Sequence, residues 1–295
     1  MTSAERLYPL TSSPSKSHSY KYKLQCQEKL TKDSPSTKDW LQLTKRFEHD
    51  STNVKIFAAL LEKRKHVVVK VGLNTDLKRE YDVGFRLSTL KLPTLMSFHC
   101  HFNCLDTFNT IKSDGGLCGN SKENKDNISV LVMPFVQGGQ LDAFKWTREN
   151  TPVYKSVLKH VICTLLYAFD SCSFYHNDMH FGNILLKKTK KTSIVYGDWE
   201  QPVVNGYIPV IMDFERSKLP CPVSYEKNTP VYKDIIKVLS LAITGADVHL
   251  DIDTNIVRNY ISRETPITQS IYSELCDYID SRKILFVFSE MGHSR

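Results

Sequence analysis

The feature that most constrains this chain is a short polar turn set between two apolar runs, within residues 175–186. The turn contains the pattern His-x-Asp-x4-Asn, formed by His176, Asp178 and Asn183. The apolar run after Asn183 has the composition of a strand. The spacing between Asp178 and Asn183 allows a loop to turn back, so that both side chains face one cleft. Taken alone, the stretch is also explained by an ordinary polar turn that joins a helix to a strand.

A second motif makes the ordinary turn a poor explanation. Asp213 ends another apolar run, thirty residues after Asn183. Phosphoryl transfer requires a carboxylate that accepts the proton of the attacking hydroxyl group, and hard oxygen ligands that hold Mg²⁺ against the phosphates. Asp178 suits the first role, and Asn183 with Asp213 suits the second. The neutral Asn183 amide adds an oxygen ligand without adding a third repelling charge.

A lysine on a predicted strand precedes these motifs. Lys70 follows three consecutive valines, and such a β-branched run predicts a strand. An exposed strand lysine is the simpler interpretation of this residue alone. A lysine that points into a cleft needs a carboxylate partner. Residues 76–85 have apolar side chains at four-residue spacing and predict a helix, in which Glu80 is the first candidate partner and Asp82 the second.

A glycine-rich phosphate loop is missing from the sequence before Lys70, where residues 49–55 take its place. The backbone N–H groups of Ser51, Thr52 and Asn53 are candidates for covering nucleotide phosphates, since such contacts use N–H groups and not side chains. Without glycine this turn is expected to be stiffer and to lie further from a nucleotide.

Length and composition limit the classes of protein to which this chain can belong. The 295 residues, 41% hydrophobic and 24% charged, suffice for one large domain or two lobes. A net charge of +7 is compatible with nucleotide, acidic peptide, nucleic acid or anionic membrane, and selects none of them. No apolar run approaches the ~20 residues of a membrane span, and the N-terminus lacks a signal-peptide core. Eight cysteines without a repeated pair spacing predict reduced thiols in a soluble intracellular protein.

Two further segments carry predictions. Residues 1–38 are rich in Ser, Thr and Lys and poor in large apolar residues, which predicts a disordered polar tail. Residues 99–104 contain two histidines and two cysteines, and Cys118 follows. A zinc site is one interpretation, but the spacing matches no standard finger, so a loop with free thiols is favoured.

Lys70, Glu80, the His-x-Asp-x4-Asn turn and Asp213 together resemble the eukaryotic-type serine/threonine protein kinases. Within that superfamily, residues 177–189 are similar to haspin and to the kinases of large DNA viruses. These share a histidine two residues after the catalytic aspartate, here His180.

The resemblance implies an α+β, bilobal protein-kinase-like fold with a nucleotide cleft between the lobes. Residues 39–133 would form a small β-rich N-lobe with one helix. Residues 134–295 would form a larger, mostly helical C-lobe. An insertion at residues 187–209 would separate the two metal-binding elements, as in haspin.

The resemblance also implies roles for the nucleotide-binding residues. Lys70 would contact the α- and β-phosphates, and His180 stands where most protein kinases place a lysine that contacts the transferring phosphate. Met133 would close the back of the adenine pocket. The backbone of Phe135 and Val136, in the hinge between the lobes, would meet the base.

Three departures separate this sequence from typical protein kinases. Glu215 stands in place of the glycine of Asp-Phe-Gly, so movement of that segment should be hindered. Asn177 replaces the arginine that reads a phosphorylated activation loop, and no Ala-Pro-Glu follows. By resemblance, Asp234 ties the next helix to the catalytic loop, and His176 is a buried structural residue bonded to backbone near Asp213. These features predict a constitutively assembled site.

The function implied is transfer of phosphate from ATP to serine or threonine of a protein substrate, with Mg²⁺ or alternatively Mn²⁺. A monomer acting in cytoplasm or nucleus is expected, with virus-encoded origin allowed and nucleic acid not indicated. Two alternatives stay open: a small-molecule kinase of the choline or aminoglycoside type, and a pseudokinase that acts as a binding scaffold. The roughly fifty residues after Leu241 are few for a small-molecule substrate lobe.

Overall fold

The computed structural model describes residues 36–47, 52–73, 75, 77–113, 115–118, 126–219, 229–244 and 269–281. Most of the predicted tail, residues 1–35, lies outside this range. Thr37, which falls within the segment predicted to be disordered, is fully buried. Its N–H donates to the Leu117 carbonyl at 2.8 Å, and its Oγ1 accepts from the Leu117 N–H at 2.7 Å. The packed part of the chain therefore begins before residue 38.

The N-terminal half is a five-stranded antiparallel sheet with the strand order β1-β2-β3-β5-β4. The strands are β1 (Leu41–Phe47), β2 (Val54–Leu61), β3 (Lys65–Leu73), β4 (Cys100–Asp106) and β5 (Asp126–Pro134). On β3, Val67, Val69 and Val71 are fully buried within one apolar cluster. Because successive strand residues face opposite sides, Lys70 points away from that cluster, toward the other face of the sheet.

One helix, α1 (Leu77–Leu87), packs on that other face. Its Leu77 and Tyr81 are buried and Phe85 is half-buried, in agreement with the four-residue spacing that predicts a helix there. Gly84 allows close packing, because a Cβ at this position would lie 2.1 Å from the Phe98 ring. The arrangement matches the predicted small lobe of strands with one helix.

The C-terminal half holds the longer helices and two small antiparallel sheets. The helices are α2 (Thr151–Cys172), α3 (Thr229–Thr244) and α4 (Gln269–Ser281). The sheets pair β6 (Ile184–Lys188) with β9 (Tyr207–Ile211), and β7 (Ser193–Tyr196) with β8 (Trp199–Pro202). α2 is buried along most of its length and forms the centre of this half. The predicted insertion, 187–209, contains the β7–β8 hairpin and the adjoining ends of β6 and β9. No helix within the described residues has the length and apolar character that crossing a membrane requires.

The cysteine prediction is wrong for the sheet region. Cys104 and Cys118 form a disulfide, and Cys100 is disulfide-bonded as well, whereas Cys163, Cys172 and Cys276 are free thiols. Chain spacing does not reveal such a bond, because only the fold brings the loop after β4 back against that strand. Disulfides are uncommon in reducing compartments, which is why scattered cysteines alone predict free thiols. The Cys104–Cys118 disulfide also removes two candidate zinc ligands. Among the described residues no group of three or more His, Cys, Asp or Glu side chains is placed to hold a metal.

A buried histidine stabilises the contact between α2 and the β7–β8 hairpin. His160 Nε2 lies 3.1 Å from the Pro202 carbonyl oxygen, and Nδ1 lies 2.9 Å from the Tyr196 hydroxyl oxygen. A carbonyl oxygen only accepts, so the proton is assigned to Nε2, and Nδ1 accepts from Tyr196. Burial lowers the pKa of His160 to about 4.

This histidine predicts acid sensitivity. Between about pH 6.5 and pH 4 the unfolded His160 binds a proton that the folded one does not, so the free energy of unfolding should decrease as pH falls, by up to about 3 kcal/mol. Urea unfolding at several pH values measures this slope. The His160→Gln protein should show a flatter slope. The remainder comes from other buried groups: burial also lowers the pKa of His99 to about 4 and lowers that of His176, while it raises the pKa of Asp234 to about 6 and so acts in the opposite direction. Equal slopes in both proteins would contradict the assignment.

Candidate active site

A buried aspartate on α3 binds the backbone of the polar turn after α2. Asp234 accepts hydrogen bonds from the backbone N–H groups of His176 at 2.7 Å and Asn177 at 3.0 Å. His176 is buried, and its Nε2 lies 2.8 Å from the Met212 carbonyl oxygen. These are the contacts predicted for Asp234 and His176. They fix the turn against the end of β9 and leave no role for His176 as a base.

Within the turn, Asn183 and Asp178 are linked directly. Asn183 Nδ2 donates to the Asp178 backbone carbonyl at 2.9 Å, which fixes the amide and leaves its Oδ1 as an acceptor. The Asp178 side chain is 28% exposed, so it is accessible from solvent. The Met212 N–H donates to the Asn183 carbonyl at 3.0 Å, and this backbone bond brings Asp213 beside the turn.

Lys70 connects the two halves of the molecule. Its Nζ lies 2.9 Å from Glu80 Oε2 on α1 and 2.9 Å from Asp213 Oδ1 after β9. Glu80 is the partner of Lys70, while Asp82 pairs with Lys78 along the helix. Although burial opposes its charge, the two carboxylates raise the pKa of Lys70 above its ordinary value, so the ammonium group stays charged.

Asp213 is oriented by an unusual backbone conformation, with φ at 65°. The following Phe214 is fully buried, with its ring edge-on to Phe98, Phe174 and His176. Burial opposes ionisation of Asp213, but Lys70 outweighs it and lowers the pKa of that carboxyl below its usual range. Asp213 therefore carries a negative charge at neutral pH.

The donor set suits magnesium better than zinc. Asn183 and Asp213 offer an amide oxygen and a carboxylate, both hard ligands. Mg²⁺ is commonly held by one or two carboxylates together with substrate phosphates and water, and does not need a complete protein cage. These residues therefore fit Mg²⁺, with the remaining ligands supplied by a nucleotide.

Comparison with known proteins finds two kinds of partial similarity, both to kinases or kinase-like domains. A family described as the ABC1 atypical kinase-like domain matches residues 123–200. The serine/threonine-protein kinase haspin of Mus musculus is 31% identical over 93 residues, which are 30% of this chain and 12% of that protein. Haspin of Bos taurus is 29% identical over 99 residues, 32% of this chain and 13% of that protein.

The chain is distantly similar to the haspin protein kinases and, over residues 123–200, to a kinase-like domain. The similarity to haspin predicted from residues 177–189 is thus confirmed, although the matched segment covers only about an eighth of each haspin. The five-stranded sheet with one helix is consistent with a kinase N-lobe.

The segment that the sequence predicts as a hinge follows β5 and packs against β6. Met133 is buried, Val136 is half-buried and Phe135 is 41% exposed. Farther on, the Leu186 N–H donates to the Gly139 carbonyl at 2.9 Å. The segment is therefore anchored to the strand that follows Asn183.

Gly138 makes this anchoring possible. A Cβ at Gly138 would lie 2.1 Å from the Leu186 carbonyl oxygen. We expect Gly138→Ala to destabilise the protein by roughly 1–3 kcal/mol, since the hinge must move away from β6. Urea unfolding provides the measurement, with Gly115→Ala as control because a Cβ there meets nothing within 4 Å. Equal stability of the two variants would contradict the close packing.

Of the other residues predicted to contact the nucleotide, the structure describes His180, Thr52 and Asn53. The His180 ring lies against Gly182, where an added Cβ would approach His180 Nδ1 to 2.9 Å. Thr52 and Asn53 are exposed beside β2, and the Asn53 carbonyl accepts from Leu73 at 2.8 Å. Ser51 lies outside the described residues.

Two contacts at the site were missed from the sequence. Glu215 Oε2 lies 3.5 Å from Lys70 Nζ, so a third carboxylate faces the lysine. Arg216 Nη1 lies 3.6 Å from Asp178 Oδ1. Both residues follow Asp213 directly, so their nearness to the predicted site could be expected from the sequence, but not the side chains that they contact.

Proposed function

We propose that this kinase-like protein transfers the γ-phosphoryl group of ATP to serine or threonine hydroxyl groups of a protein substrate. The observation that carries the proposal is the joining of Lys70 to both Glu80 and Asp213. Through this contact β3, α1 and the end of β9 meet. Asp213, just after β9, lies beside the turn that holds Asp178 and Asn183.

In the proposed reaction Asp178 orients the substrate hydroxyl group and accepts its proton. The hydroxyl oxygen forms a bond to the γ-phosphorus while the bond from that phosphorus to the β–γ bridging oxygen breaks. ADP leaves with the bonding electron pair. Asp178 returns the proton to water after the phosphorylated product departs.

The other residues bind and orient. Lys70, held by Glu80, contacts the α- and β-phosphates as a point charge. Asn183 and Asp213 would hold Mg²⁺, which when bound neutralises charge on the phosphates; Mn²⁺ is an alternative ion. His180, close to Asp213, adds a donor toward the transferring phosphate.

For the nucleotide, we propose that adenine lies against Met133 and meets the backbone of Phe135 and Val136. The N–H groups of the turn at residues 51–53 would cover the phosphates. All groups come from one chain, so a monomer suffices.

The chain from Asp213 to the start of α3 is short, and this feature favours a small-molecule kinase as second candidate. Transfer from radiolabelled ATP should be measured with an unbiased peptide library, choline and aminoglycosides, followed by phosphosite mapping. We expect label on serine or threonine of peptides. Label on the small molecules alone would establish the second candidate. No transfer above that of Asp178→Asn, on any acceptor, would leave a binding scaffold.

A further inference from the structure

The segment after Asp213 places positive charge beside the proposed base. The Arg216 side chain is 70% exposed, and its guanidinium group lies 3.6 Å from the Asp178 carboxylate. The Asn177 side-chain amide donates to the Arg216 carbonyl oxygen at 3.4 Å, and the buried Ser217 donates its hydroxyl to the His176 carbonyl at 3.1 Å. The backbone under Arg216 is thus fixed, while its guanidinium group extends to solvent.

A second cationic region continues from Arg216. Lys218 is exposed, and its backbone pairs with Tyr175 at 3.0 and 3.2 Å, so its position is also fixed. Beside it lies a cleft of about 420 Å³ between α1 and the segment after Asp213. The cleft is lined by four cationic side chains and one carboxylate: Lys78, Arg79, Arg86 and Lys218, with Asp82.

The charges in this cleft do not cancel. Asp82 pairs with Lys78, and the Arg79 guanidinium group donates to the Ser217 carbonyl at 3.3 Å, at the edge of the segment that carries Lys218. Among the charged residues that line the cleft, four are cationic and one is a carboxylate, and such an excess of positive charge attracts anionic groups.

We infer that this site selects acceptor residues flanked by acidic or phosphorylated side chains, with Arg216 as the specificity-determining residue. The inference rests on the proposed function and specifies its substrate class. An acceptor hydroxyl hydrogen-bonded to Asp178 brings its neighbours alongside Arg216. An anionic neighbour accepts the guanidinium hydrogen bonds, for which arginine has a favourable planar geometry, and so leaves Asp178 available for the proton. Lys218 and the cleft bind a second anion farther along.

The test uses serine peptides that are identical except for the residues flanking the acceptor, which are Asp, phosphoserine, Ala or Lys. In the wild type at low ionic strength, kcat/KM for the Asp peptide should exceed that for the Ala peptide by about fivefold, the effect of a favourable exposed charge pair. The phosphoserine arm distinguishes a phosphate preference from a carboxylate preference. The ratio should shrink as salt is added.

Charge reversal identifies the responsible residue. Arg216→Glu should favour the Lys peptide over the Asp peptide, and Lys218→Glu should lower the preference for anions. Lys190→Glu, an equal change at an exposed position after β6, should keep the wild-type order. Arg216→Gln, with folding checked by circular dichroism, should lose the preference and serves if Arg216→Glu does not fold.

The possible outcomes distinguish failure of the charge preference from failure of the proposed phosphoryl transfer. If the wild type phosphorylates the Ala and Asp peptides equally, or if Arg216→Glu and Arg216→Gln keep its preference, the inference is overturned while phosphoryl transfer stands. If the wild type phosphorylates no peptide, the proposed function itself fails.

Discussion

We expect Asp178→Asn to lower kcat for phosphoryl transfer by about 10²–10⁴-fold, because an amide cannot accept the proton of the attacking hydroxyl group. The substitution keeps the size of the side chain. It also keeps the Asn183 hydrogen bond, which is made to the Asp178 backbone carbonyl. The affinity for ATP should therefore change little. Steady-state kinetics with a peptide that the wild type phosphorylates tests the loss of kcat. A separate measurement of ATP binding tests the unchanged affinity.

A matched control for this substitution is Asp198→Asn, an exposed aspartate in the turn between β7 and β8. It removes the same charge away from the site and should leave kcat unchanged. A fully active Asp178→Asn protein would contradict the role of Asp178. A loss of ATP affinity equal to the loss of rate would assign Asp178 to binding instead.

The second large effect concerns stability. We expect Lys70→Met to lower the free energy of unfolding by about 3–5 kcal/mol, because it leaves the Glu80 carboxylate buried without its partner charge. Lys70→Met with Glu80→Leu should recover most of that loss, since the pair is then replaced by apolar side chains of similar volume. Urea unfolding of the wild type, both single variants and the double variant forms the cycle that measures the coupling.

Lys45→Met provides the control for this cycle, because Lys45 is an exposed lysine on β1 of the same sheet. Its effect should stay within about 0.5 kcal/mol. The account of the buried pair would be wrong if Lys70→Met were no more destabilising than Lys45→Met. It would also be wrong if the double variant were less stable than Lys70→Met alone.

Local patterns predicted the paired groups of the site well. Alternation along β3 buries its valines on one face and turns Lys70 to the other, and four-residue spacing on α1 places Glu80 beneath the sheet. The spacing between Asp178 and Asn183 likewise predicts a loop that returns on itself. Each depends on strand or helix periodicity or on a short loop, which a sequence contains directly.

The missed features depend on how distant segments meet. The direction of the Glu215 and Arg216 side chains depends on the left-handed backbone conformation of Asp213. No residue pattern in the sequence predicts that conformation. The Cys104–Cys118 bond depends on the loop after β4 returning to that strand. Such contacts follow from the tertiary arrangement and not from the periodicity of a single element.

The central claim is that Asp213, with Asn183 and Lys70, forms a site for a nucleotide and a divalent ion. Calorimetric titration of ATP into the wild type and into Asp213→Asn, each with Mg²⁺ and with a chelator, tests it most directly. The account predicts binding by the wild type that depends on Mg²⁺, and binding by Asp213→Asn that is weak under both conditions. Equal affinity in all four titrations, or no binding in any, would contradict it.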